Sequence, residues 1–398
     1  MPGLIFLTFV SHAFDKITKE TRKGNGDSKK GDIDILELNK IRQNLLIIPS
    51  TANWKYILEK AYSRNIRTYL DEAMHAIEKM NPSFKNILPR EYSSPNIDVG
   101  VLSAFIKKLG QMPDYFHKTG QILSHVYDYI VRRSLLLDSG ISLRETFFAP
   151  GSVVKLMVSM IGPKRGKIFD PCCGFGSLLV ESIHFIKEKR KSLKRIKFYG
   201  RENRRTLFKL CCMHLALYGI DIENITWESD ISINLDTHRD LKADFLLCAP
   251  PYNSRVLSWI EYAESHLSSK GYAALLLSKD SVFLKKGNEP HIHKEIIETN
   301  CVDCIVTLPD KVLPIAGISI SILILAMDRG VKNGKNRYRQ DEILYIDAAA
   351  LPSMKVLKNR EFTIFDIKKI VSVYRKWREK QSKTMDKKGF FKTIKIER

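Results

Sequence analysis

The 398-residue sequence is short of acid. It carries 44 Asp and Glu against 65 Lys and Arg, for a formal net charge of +21. That imbalance favours a polyanionic partner, because Lys and Arg displace counterions from phosphates. No apolar run approaches the length of a membrane-spanning helix. The run Leu4–Val10 is marginal for a secretory leader and no basic segment precedes it, which argues for a core helix instead. Disulfide frameworks are not expected either: the seven cysteines are odd in number, most lie inside apolar runs, and the pattern suits a reducing cytoplasm. Cys301-x-x-Cys304 has metal or redox spacing, but no second pair follows and the motif opens a strand-like run. Both cysteines therefore read as buried thiols, and no metal site is expected.

What is present is a globular composition, 44% hydrophobic, in a chain longer than one core usually holds. Residues 1–140 read as helical, beginning with a stripe of Leu4, Leu7, Val10, Ala13, Phe14 and Ile17 at period 3.6. "DYFHKTGQILSHVYDYIVRRSLLL" (114–137) predicts a long amphipathic helix, and the pattern breaks near 140–150. Beyond it, short β-type runs alternate with helical segments: "KIFDP" (167–171), "KFYGRE" (197–202), "ITWESD" (225–230), "ADFLLCAP" (243–250), "YAALLLS" (272–278), "VDCIVTLP" (302–309), "SISILILAM" (319–327) and "EILYIDA" (342–348). Alternation of this kind predicts an α/β fold with a parallel, doubly wound sheet. The runs at 302–309 and 319–327 are too close for a helical crossover, so they are expected to pair antiparallel. A helical domain over 1–143, an α/β domain over 144–352 and a basic helical tail over 353–398 follow.

Open parallel sheets bind ligands at the carboxyl ends of their strands, where strand order reverses. Four such ends hold candidate residues. Asp170 closes the first strand, Gly174 and Gly176 form a tight turn, and Ser177 opens a helix. The turn belongs to neither common phosphate signature: no Lys-Ser/Thr follows, and it is not G-x-G-x-x-G. Glu202 closes the second strand, well placed for ribose hydroxyls, and Asp230 the third, where it could accept from an adenine amino group. Singly, either acid reads equally as a helix cap or a solvated strand end. Together they point to a nucleoside cofactor without a pyrophosphate cradle. The fourth strand stops at Pro250 and Pro251, which cannot donate to a sheet, and Tyr252 follows as an aromatic suited to stacking an extruded base.

These segments resemble the modification (methyltransferase) subunit of type I restriction-modification systems, the adenine-N6 DNA methyltransferases that use S-adenosylmethionine. The resemblance runs through nearly the whole chain, in order: "GLIFLTFVSHAFDKI", "TFFAPGSVVKLMVSMI" (146–161), "DPCCGFGSLL" (170–179), "YGRE" (199–202), "MHLALYGI" (213–220), "APPY" (249–252), "VDCIVTLPDKVL" and "EILYIDA". It implies an S-adenosylmethionine-dependent methyltransferase fold, Rossmann-like and doubly wound with an antiparallel edge strand, behind an all-α N-terminal domain. Phe148, Ala149 and Pro150 would line the methionine side of the cofactor. Asp170, Gly174, Gly176 and Ser177 would form the first cofactor loop, with Glu202 on the ribose and Asp230 on the adenine. Pro250, Pro251 and Tyr252 match the family's Asn-Pro-Pro-Phe/Tyr motif, but Ala249 stands in place of the asparagine. In that family the Asn carboxamide and a proline carbonyl accept from the target amino group, so Ala249 is a degenerate catalytic position. The implied partners are double-stranded DNA, a specificity subunit and a restriction (nuclease and translocase) subunit, in the cytoplasm and off the membrane. Relative to the family the chain starts about one helix late and stops shortly after "GFFKTIKIER". With Ala249, this keeps a second expectation open: a catalytically silent remnant that binds cofactor, DNA or partner chains. A small-molecule or RNA methyltransferase fits the sheet but not the helical N-terminal domain.

Overall fold

The computed structural model describes residues 2–24, 46–112, 127, 129–131, 133, 149–229, 236–251, 255–286, 289–292, 294–310, 312, 319–330, 336–351, 361–379 and 386–396. Phe148, Asp230 and Tyr252, the loop after residue 24 and most of the expected helix at 114–137 lie outside these residues. The chain divides into two compact units: Met1–Asp138 with Arg205–Ile225, and Ser139–Arg204 with Thr226–Arg398. The interval 205–225 thus groups with the N-terminal residues, which sequence pattern did not foresee. Among the described residues no helix is long and apolar enough to cross a membrane.

The first unit is helical. α1 (Pro2–Gly24) buries Leu4, Ile5, Phe6, Leu7 and Val10, and Phe6 stacks on Phe84. α2 (Trp54–Glu59) starts where the buried Ser11 hydroxyl accepts from the Trp54 amide and Asn53 caps Lys55. α3 (Ile66–Met80) and α4 (Val99–Gly110) follow, the latter capped by Asp98. α7 (Arg205–Ala216) belongs here too, and its Leu210 carbonyl accepts from the buried Tyr127 hydroxyl.

The second unit holds a nine-stranded sheet in the order β11-β10-β8-β9-β5-β4-β1-β2-β3. The strands are β1 (Gly166–Asp170), β2 (Ile196–Glu202), β3 (Ile225–Trp227), β4 (Ala243–Cys248), β5 (Leu267–Ser278), β8 (Val302–Thr307), β9 (Ile320–Ala326), β10 (Glu342–Asp347) and β11 (Phe391–Lys395), with a separate hairpin of β6 (Phe283–Lys286) and β7 (Glu289–Ile292). β1 pairs in parallel with both β2 and β4, so strand order reverses between β1 and β4. Gly166 opens β1 at φ +95, and a Cβ there would meet Asp244 Oδ2 at 2.0 Å. That oxygen accepts the Lys167 amide and ties the start of β1 to β4. β8 and β9 pair antiparallel as expected. However, β9 also pairs antiparallel with β5, so it lies inside the sheet, and the antiparallel edge strand is β11.

α5 (Gly151–Ile161), α6 (Ser177–Glu188) and α11 (Ile364–Arg378) pack in one layer, while α8 (Val256–His266) covers β4 and β5. α9 (Lys279–Val282) and α10 (Lys294–Glu298) are single turns. The C-terminal segment differs from the helical tail that was expected. After α11 it returns as β11, because "FKTIK" finds an open partner edge in β10. α11 is anchored by buried charge: Tyr374 donates to Asp303 at 2.7 Å, Arg339 donates to Asp303 at 2.9 Å and to Asp328 at 2.8 Å.

Candidate functional site

The carboxyl ends of β1, β2 and β4 bring several of the expected residues together. Asp170 is 1% exposed. Its Oδ1 accepts the Cys172 amide at 3.1 Å, and its Oδ2 is buried without a hydrogen-bond partner. Burial, and secondarily the charge of Glu202, pushes this carboxyl well above the ordinary range, against the pull of the Cys172 amide. Gly174 (φ +56) and Gly176 (φ +87) turn the chain through conformations that side chains resist, and Ser177 then begins α6. The turn is strapped to β2 twice. Cys173 N–H donates to the Arg201 carbonyl at 2.9 Å, and Gly174 N–H donates to Glu202 Oε2 at 2.9 Å. The other Glu202 oxygen accepts the Arg204 amide at 2.8 Å.

β4 ends at the buried Cys248, and burial pushes its thiol well above the ordinary value. Ala249 is partly exposed, Pro250 buried and Pro251 exposed, so the corner leaves the sheet where the prolines require. Ala149 is buried and Pro150 caps α5. Cys301 and Cys304, the other cysteine motif, are buried thiols on and beside β8.

One group of residues escaped the sequence argument. Arg201, fully buried at the end of β2, donates from Nε to Glu228 Oε2 at 2.9 Å and from Nη1 to the Tyr262 hydroxyl at 2.9 Å. Its Nε also lies 3.4 Å from Asp236 Oδ1, and Tyr262 donates to Asp236 Oδ2 at 2.5 Å. His266 Nε2 lies 2.8 Å from the same oxygen. Burial alone would lower the Arg201 pKa, but the Glu228 hydrogen bond and the charges of Tyr262 and Asp236 hold it above its ordinary value. The available signal was a cation in a strand otherwise fit for burial, since a buried charge requires partners.

Family comparison decides the lineage. Residues 118–256 and 253–398 match the N-6 DNA methylase model, and residues 1–109 match the HsdM N-terminal domain. The chain belongs to the N-6 DNA methylase family. The methylase is 28% identical over 373 residues to the type I restriction enzyme HindI methylase subunit of Haemophilus influenzae, covering 83% of this chain and 82% of that one. It is 23% identical to the MjaIX methylase subunit of Methanocaldococcus jannaschii, covering 99% and 76%. Its fold matches the type I methyltransferase subunit of Streptococcus thermophilus with a TM-score of 0.74 at 19% identity, over 99% of this chain and 90% of that one. A modification subunit of a putative type I restriction enzyme from Vibrio vulnificus gives 0.64 at 15%, over 98% and 85%. By this family membership the methylase is a DNA N6-adenine methyltransferase subunit of the type I restriction-modification class.

Proposed function

We propose that the methylase holds S-adenosylmethionine across the carboxyl ends of β1, β2 and β3 and presents an extruded adenine at the β4 corner. The observation that carries this is the junction of Asp170, the Gly174–Gly176 turn and Glu202 at the strand-order reversal. The site fits such a group. Asp170 offers a buried oxygen with no partner to a cationic amino group, and no atom lies within 4 Å of a Cβ position on Gly174. Glu202 keeps lone pairs for ribose hydroxyls beyond the two amides it accepts. Phe148, Ala149 and Pro150 would flank the methionine portion, Ser177 would close the loop, and Asp230 would take the adenine amino group.

When bound, S-adenosylmethionine supplies an electrophilic methyl group on a sulfonium. The chain's own part is to place and activate the target nitrogen. Pro250 and Pro251 hold the corner rigid, its carbonyls can accept from the target amino group, and Tyr252 would stack the base. Acceptors on those protons localise the nitrogen lone pair and raise its nucleophilicity. Ala249 supplies none from its side chain, which leaves placement and the backbone carbonyl to carry the rate. That residue favours a second reading, a subunit that binds cofactor without transferring methyl.

The proposed partners are duplex DNA, gripped mainly through phosphates by the excess of cations, and the specificity and restriction subunits, all in the cytoplasm. Titrating labelled S-adenosylmethionine onto the purified chain, with and without adenine-containing DNA and the specificity subunit, separates the readings. Transfer supports the enzyme, binding alone supports the silent subunit, and no binding by folded protein sinks both.

A further inference from the structure

A groove of about 1020 Å³ runs along the helical layer of the second unit, bounded by α5, the end of α6 and α11. The site at the strand ends plays no part in it. Its floor is apolar: Phe185 and Ile367 are buried beneath it, and Ile364 and Val371 line it. Ile364, Lys368, Val371 and Arg375 of α11 and its C-cap Glu379 form one stripe along it, with Ile367, Ser372 and Lys376 beside them. Ile364 is 43% exposed and the next residue, Phe365, is 77% exposed, so the start of α11 presents large apolar surface to water.

The rim is cationic. Lys189, Lys368, Arg375 and Lys376 line it. Of its two acids, Glu188 is matched at 3.3 Å by Lys155. An apolar floor with a rim richer in cations than acids suits an amphipathic helix, which lays its apolar face into a groove and its charged flanks along the edges. A nucleic-acid backbone would use the cations but gains nothing from Phe185, Ile364, Ile367 and Val371. We propose that this groove docks an acidic amphipathic helix of a partner protein, with leucine-like side chains on the floor and carboxylates against Lys368 and Arg375. From Ile364 to Glu379 the stripe is about 22 Å long at the helical rise, enough for a helix of about four turns.

The test uses the full chain and a fluorescein-labelled synthetic helix of about 15 residues, Leu on one face and Glu on the other, matched to that length. Control peptides carry Lys for Glu, or Ser for Leu. Saturable anisotropy binding of the Leu/Glu peptide alone is expected. Affinity should fall at least about tenfold in Lys368→Glu/Arg375→Glu and in Ile364→Ser/Val371→Ser, equivalent to about 1.4 kcal/mol. It should hold in Lys191→Glu/Lys194→Glu, which reverses exposed charge outside the groove. Circular dichroism establishes that each variant is folded. No binding overturns the proposal. So does equal loss in the Lys191/Lys194 control, or equal binding of the Ser peptide, since either reports charge alone. Displacement of the peptide by duplex DNA from wild type and from the Lys191/Lys194 variant alike would assign the groove's cations to nucleic acid and overturn it as well.

Discussion

Arg201 donates to Glu228 at 2.9 Å and sits 3.4 Å from Asp236, so one buried guanidinium grips the chain on both sides of residues 230–235. Asp230 lies in that interval, and Glu202 is the residue after Arg201. Glu202, proposed to hold the ribose, thus neighbours a buried side chain that is not proposed to touch the cofactor.

Arg201→Lys keeps the charge and loses the planar fork that reaches both partners. Cofactor affinity is expected to fall about tenfold, or about 1.4 kcal/mol, with the fold retained. Calorimetric titration beside a circular dichroism spectrum measures both. Unchanged affinity in a folded variant would show that the grip is structural only.

Glu202→Ala removes the proposed ribose acceptor and leaves the Gly174 amide without its carboxylate. Binding of S-adenosylmethionine should weaken by about 1–3 kcal/mol, the usual cost of unpaired buried polar groups. Equilibrium dialysis with labelled cofactor reads it directly, and wild-type affinity in the variant would remove Glu202 from the site.

Ala249→Asn restores a side-chain acceptor on a corner already fixed by two prolines. A preorganised hydrogen bond of this kind is worth about 10²–10³ in rate. The wild type should be near inactive and the variant faster by a similar factor, assayed as methyl transfer to DNA with the specificity subunit present. Equal and substantial rates would show that alanine serves at this position.

Asp303 is fully buried between Arg339 and the Tyr374 hydroxyl, far along β8 from the strand-end turns. Asp303→Ala should destabilise the fold by about 3–5 kcal/mol, because it strands a buried guanidinium. Denaturant titration gives the figure. A loss below about 1 kcal/mol would show that Asp328 suffices for Arg339.

Acid and neutral stability should respond to different carboxylates. Burial would raise Asp236 and Asp328, but His266 and Tyr262 hold the first below its ordinary value, and Tyr272 and Arg339 hold the second below its own. Groups with depressed folded values stabilise fully above the unfolded value, about 3.9 for Asp, and lose that contribution as pH falls through the folded value. Asp236→Asn should therefore flatten the acid limb of a stability–pH profile. Asp170 has the opposite sign: its raised value costs stability as pH rises above the unfolded value. Asp170→Asn should melt higher than wild type at pH 7 without cofactor and bind cofactor less tightly. A lower melting midpoint would contradict the strain assigned to Asp170.

Local pattern carried much of the sheet. Continuous apolar runs such as "LLLS" and "SILIL" allow no other burial, and the short link between β8 and β9 dictated their pairing. What eluded it depended on distant partners. β5 begins at Leu267 rather than at residue 272 because Ala243 offers a neighbour to an otherwise polar "LSSK". The strand in "FKTIK" was masked by lysines and exists because β10 is beside it. Asp170 and Glu202 lie at the ends of β1 and β2, where counting strands had placed them. Arg201's partners, one just after β3, one in the segment before β4 and one on α8, share no local spacing, so only the need to neutralise a buried cation announced them.

β11 also shapes what one flank of the sheet offers to another chain. Among the described residues the sheet has two outer flanks, and unpaired amides and carbonyls on such a flank invite another chain to add on. One flank is β3, only three residues long and too short a template. The other is β11, whose exposed Lys392 and Lys395 would set like charges against any copy that tried to align with it. Without β11 that flank would be β10, with Ile343, Leu344 and Ile346 in a ready strand. Lysines on that strand, with its Phe391 and Thr393 amides already donating to Lys387 and Asp386, disfavour edge-to-edge addition of another chain there.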